Sequence, residues 1–90
     1  MNDSLTESIK RHLSHIPGID AIYLSIANGI VHVYSVAADY TERVYGPLTA
    51  QERLIEMDFP AVQFDFHLRA HQGREPAEAV PTESELVFER

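Results

Sequence analysis

The chain has 90 residues, 44% of them apolar and 23% charged, which is the composition of one small globular domain with a thin core. Fourteen acidic against seven basic residues give a net charge of −7, which repels phosphate backbones and anionic headgroups, so neither a nucleic-acid partner nor a membrane surface is expected. Without cysteine there is no disulfide framework or thiolate zinc site, and with no apolar run near ~18 residues and no signal-like start in MNDSLTESIKR, a soluble cytoplasmic protein is expected.

The first element is an amphipathic helix over about Ser4 to His15. Ser4-Leu5-Thr6-Glu7 has capping-box spacing, and Leu5, Ile9, Leu13 and Ile16 recur along one stripe of a 3.6-residue period. Pro17-Gly18 ends it.

The stretch from Asp20 to Val36 predicts a β-hairpin. Two alternating runs flank Asn28-Gly29, a pair that tolerates the positive φ of a two-residue type I′ turn. Counting outward sets Ala27 opposite Ile30, Ser25 opposite His32, Tyr23 opposite Tyr34 and Ile22 opposite Ser35. Because successive strand side chains alternate in direction, Ile22, Leu24, Ile26, Val31 and Val33 take one face and Tyr23, Ser25, His32 and Tyr34 the other.

Two helix starts compete after the hairpin, at Asp39-x-x-Glu42 and Thr49-x-x-Glu52. Gly46-Pro47 between them removes one backbone hydrogen bond and crowds the carbonyl of Arg43. The pattern predicts a helix over about Thr41 to Met57, kinked or broken near Gly46, with Val44, Leu48, Leu54, Ile55 and Met57 inward. The alternative is a loop followed by a helix over Ala50 to Asp58. A third strand then alternates, with Val62, Phe64, Phe66 and Leu68 inward and Gln63, Asp65, His67 and Arg69 outward.

Residues 1–69 thus form an α+β domain in the order α-β-β-α-β, a two-layer sandwich with both helices on one face of a small mixed three-stranded sheet. The third strand lies either parallel to the second or antiparallel to the first. Residues 70–90 form a tail, partly mobile, that docks through Leu86 to Phe88 on its own sheet edge or on another subunit. The αββαβ order, with Ile16-Pro17-Gly18-Ile19 leading into the hairpin, resembles the ferredoxin-like domains of metal-handling proteins, including the cytoplasmic domain of cation-diffusion transporters. The resemblance implies half of a ferredoxin-like fold and is one of architecture. The Cys-x-x-Cys of heavy-metal-associated domains is absent, and neither a ligand set nor a function follows from it.

The outward face gathers Tyr23, Ser25, His32, Tyr34, Asp65, His67 and Arg69, with Gln63 beside them. Phenols, imidazoles, a carboxylate and a guanidinium suit a subunit or partner interface, a polar ligand site, or simply a solvated sheet face whose side chains pair across strands. His32, Asp65 and His67 are the candidate metal ligands, and His12 with His15 have ligand spacing on the first helix. No phosphate loop, nucleophile elbow or H-E-x-x-H motif marks an enzyme, and no cofactor is expected.

A small binding or assembly module that homodimerises through its polar and aromatic sheet face is therefore expected. A ligand- or metal-binding domain using His32, Asp65 and His67 is the second reading, and an enzyme with a site shared between subunits the third. The acidic stretches Glu52 to Asp58 and Glu75 to Glu85 are solvated surface, or the latter a docking arm for a basic protein partner.

Overall fold

The computed structural model describes residues 3–90. In chain order it comprises α1 (Asp3–Leu13), β1 (Ile19–Ala27), β2 (Ile30–Ala37), α2 (Glu42–Asp58), β3 (Gln63–Ala70), a 3₁₀ turn (Pro76–Ala79) and β4 (Glu85–Glu89). Two helices and a four-stranded mixed sheet of order β3-β2-β1-β4 make the fold α+β. The three-stranded, ferredoxin-like half expected from the sequence is thereby corrected: Leu86 to Phe88 belong to a fourth strand, antiparallel to β1, with Ile22 opposite Phe88 and Leu24 opposite Glu85.

The turn at Asn28-Gly29 has φ of 55° and 76°, the two positive values that a type I′ turn needs. Its register follows, with Ile26 opposite Val31, Leu24 opposite Val33 and Ile22 opposite Ser35. β3 lies parallel to β2 on the far side from β1, and α2 makes the crossover between them.

Parity decides the core. Ile22, Leu24, Val31 and Val33 bury against Leu5, Ile9, Leu13 and Ile16 of the first segment and Val44, Leu48 and Ile55 of α2, with Phe64, Phe66, Leu68, Val87 and Phe88 packed at the margins. Three expected core positions are exposed. Ile26, 56% exposed, sits beside the hairpin tip beyond the reach of the helices, and Leu54 and Met57 point away from the sheet on α2.

α2 is one continuous helix of 17 residues with Pro47 inside it, close to the span expected from Thr41 to Met57 and without a break near Gly46. Thr41 occupies the N-cap position, and its carbonyl accepts from the N–H groups of Val44 and Tyr45. Thr49, the rival start, lies mid-helix and donates its hydroxyl to the carbonyl of Tyr45 at 2.9 Å. Burial of Val44, Leu48 and Ile55 against the sheet outweighs the one backbone bond that proline removes. α1 already contains Ser4, so that residue is not its cap. The helix ends at Leu13, two residues before the expected His15, and Gly18 then turns the chain at φ 96° with its Cα against Val44.

Candidate metal centre on the outer sheet face

The parallel register sets His32 opposite Asp65, Tyr34 opposite His67 and Val36 opposite Arg69. Odd-numbered β3 residues and even-numbered β2 residues therefore share the face away from the helices. There they stack. The His67 ring lies 4.6 Å from that of Tyr34 at 13° and 5.4 Å from that of His32 at 24°. The Arg69 guanidinium covers the other end, 5.4 Å from the Tyr34 ring centroid, a cation–π distance.

At the hairpin end of this stack three donor atoms converge. His32 Nδ1 lies 3.2 Å from His67 Nε2, so one of these nitrogens donates a hydrogen bond and the other accepts it. Asp65 Oδ2 lies 3.5 Å from His67 Nε2 and 3.7 Å from His32 Nδ1. Among the described residues this is the one group of three His or carboxylate side chains gathered closely enough to hold an ion. The side chains of His32 and His67 are 21% and 25% exposed and that of Asp65 54%, so the cluster opens to solvent on its carboxylate side. Burial pushes His67 below the ordinary imidazole value, aided by the Arg69 and His32 charges and opposed by Asp65.

Tyr23 and Tyr34 do not share that exposure. Both are buried, in a second apolar cluster with Ala21 and Val36 that Ala79 and Val80 cover. The segment carrying the cover is ordered by Pro76 and by a reciprocal cap between Glu75 and Glu78. Burial raises the Tyr23 phenol, and the nearby Glu89 and Glu75 carboxylates raise it further. Of the expected surface residues, His32, Asp65, His67, Tyr34 and Arg69 form one continuous stack, Ser25 is half-buried opposite His32, and Tyr23 lies under the chain's own C-terminal segment.

The other histidines are engaged elsewhere or apart. His12 Nδ1 bonds Gln51 Oε1 at 2.9 Å and its Nε2 faces Asp58 at 3.5 Å, while His15 is exposed beyond the end of α1, so the two do not converge. One pair the sequence did not bring to notice is Asp20 with His71. The Gly73 N–H donates to His71 Nδ1 at 3.2 Å, which leaves Nε2 to donate to Asp20 Oδ2 at 2.7 Å. Fifty-one residues separate the two in sequence, and only the parallel return of β3 juxtaposes them. The sequence matches no protein-family model and none of the curated proteins with which it was compared.

Proposed function

We propose that this chain is a small binding module and that its ligand is a divalent transition-metal ion, held by His32 Nδ1, His67 Nε2 and Asp65 Oδ2. The triangle of donor atoms, with edges of 3.2, 3.5 and 3.7 Å, carries the proposal. An ion bound tetrahedrally at about 2.1 Å from each of its ligands separates them by about 3.4 Å, so these donors already stand near ligand spacing. Two imidazoles and a carboxylate suit zinc and its first-row neighbours better than soft or purely oxygen-seeking ions.

Three protein ligands leave a fourth position open, on the solvent side where Asp65 is exposed. An open position is the mark of a site that exchanges its ion or presents it to a further ligand, whereas structural sites are closed. The stack behind the histidines supplies support: Tyr34, itself covered, backs the His67 ring and restricts its rotation. A broad assembly surface over the whole outer face is less favoured, because Ala79 and Val80 already occupy the half that holds Tyr23 and Tyr34.

Calorimetric titration with zinc, nickel and manganese chlorides at pH 7 tests the proposal. One ion per chain is expected for zinc or nickel, with at least about tenfold weaker binding in His32→Ala and in His67→Ala, and no change in the exposed His15→Ala. No heat and no ion retained in equilibrium dialysis at about 1 mM metal would overturn it.

A further inference from the structure

The two edges of the sheet differ in kind. β4 forms one of them, and it carries Glu85 and Glu89 at its two ends. If β4 paired antiparallel with a copy of itself about Val87, Glu85 would oppose the partner's Glu89 at both ends of the ladder. Like charges directly opposite are destabilising, so this edge is guarded against self-association.

β3 forms the other edge, and among the described residues β2 is the only strand paired with it. Its eight residues carry no proline, and their charges complement themselves when the strand is reversed. In an antiparallel pairing centred on His67, Asp65 opposes the partner's Arg69, and the two-fold axis repeats that pair. On the helix side the same pairing sets Phe66 opposite the partner's Leu68. All four side chains keep their proper face, since Asp65 and Arg69 are outward and Phe66 and Leu68 are packed at the core margin.

A second feature lies beside the same edge. Leu68, Tyr40, Thr41, Glu42, Tyr45 and Gly46 line a largely apolar depression of about 480 Å³, where the strand passes the start of α2. Tyr40 and Tyr45, both exposed, face this depression together. The Phe66 ring of the partner subunit, opposite Leu68, would reach this depression.

We infer that a second copy of this chain pairs along the free edge of β3, joining two four-stranded sheets into one, with Asp65 opposite the partner's Arg69 and the partner's Phe66 against Leu68. The inference stands independently of the metal reading, and the two are compatible. Asp65 turns Oδ2 toward both histidines, which leaves Oδ1 to accept from the partner's guanidinium once that group swings to the strand edge from its place over Tyr34.

Light scattering after size exclusion, in about 0.15 M salt with EDTA present, tests the pairing without any ion, since salt at that strength screens the repulsion between two acidic chains. Wild type at about 200 µM is expected at twice the 10.2 kDa chain mass. Asp65→Arg and Arg69→Asp each weaken the dimer by roughly tenfold or more, because two attractive pairs become repulsive. The charge exchange, Asp65→Arg with Arg69→Asp, restores it to within about threefold of wild type. A wild-type monomer at that concentration, or a double variant no better than the single ones, would overturn the inference. A monomer that still takes up zinc would remove the dimer and leave the metal site. A dimer that takes up none would do the reverse.

Discussion

The Arg90 guanidinium donates from Nη2 to the carbonyl of Ser14 at 3.1 Å, and so a side chain at the end of β4 caps the C-terminal end of α1. The same group reaches the carbonyls of Ile16 at 3.4 Å and, through Nε, Ile19 at 2.9 Å, while its backbone N–H bonds Asp20. A cation at that end of a helix is favoured by the macrodipole, and the Ser14 carbonyl, just past Leu13, is one that the helix leaves without an internal partner. Arg90→Ala is expected to lower stability by about 1–2 kcal/mol, with Arg90→Lys recovering less than half because a single ammonium nitrogen lacks the planar fork that sets Nε and Nη2 on separate carbonyls. Urea denaturation midpoints measure both.

Gly18 and Gly46 predict opposite outcomes for one substitution. A Cβ at Gly18 would meet Val44 Cγ2 at 2.7 Å, on a backbone at φ 96° that side chains avoid. Gly18→Ala should cost about 2 kcal/mol or more, and Val44→Ala in that background should relieve the clash without relieving the backbone strain. Gly46 lies inside α2 with open space where a Cβ would stand, so Gly46→Ala should stabilise by about 0.5–1 kcal/mol. Thermal unfolding of the two variants side by side reads the difference in sign.

Glu52 predicts how stability varies with pH. Burial on α2, with Glu56 one turn away, pushes its carboxyl from the ordinary 4.5 up to about 7. In the unfolded chain it titrates near its ordinary value. Between those limits the folded chain holds a proton that the unfolded chain has released, so this group's contribution falls as pH rises and is fully adverse above about 7. Glu52→Gln should therefore raise stability at pH 8, by on the order of 1 kcal/mol given the partial exposure of the carboxyl, and leave it unchanged at pH 4. Denaturant midpoints of the two proteins across that range should converge at the acid end.

The cover over the phenols gives a fourth test. Val80→Asp places a charge against the apolar cluster of Ala21, Tyr23, Tyr34 and Val36. A loss of about 2 kcal/mol is expected, with the Tyr23 and Tyr34 fluorescence becoming accessible to acrylamide. Unchanged quenching would mean that the segment is not seated there.

What could be read from the sequence is what local geometry determines. A two-residue turn has one register, so Asn28-Gly29 alone placed Tyr23 opposite Tyr34 and sent Leu24 and Val33 beneath the helices. Alternation in β3 put Asp65 and His67 on the outer face, and the candidate ligands were thus legible as a set. Their convergence was not, because it depends on β3 lying parallel to β2, which follows from packing around α2 and not from either strand. β4 was half legible: docking of Leu86 to Phe88 on the sheet's own edge was one of the two outcomes expected, and the pairing with β1 decides between them. Glu85 and Glu89 bracket only three apolar residues, and the strand exists through its pairing with β1. Nor does anything local mark Ala79 and Val80 as a lid for two tyrosines. Pro47 left a break open as an alternative because a rule about isolated helices does not weigh the buried face of Val44, Leu48 and Ile55.

The crossover also orders events during folding. The hairpin closes a loop of two residues, whereas β3 must travel the length of α2 before it can meet β2, and closure entropy grows with that separation. His32 and Asp65 are brought face to face only by the slower step. An ion that recognises the finished triangle would have almost nothing to hold in a partly folded chain, so its uptake would report completion of the whole architecture, and at a hundredfold excess over its dissociation constant it would add about 2.7 kcal/mol to the native state.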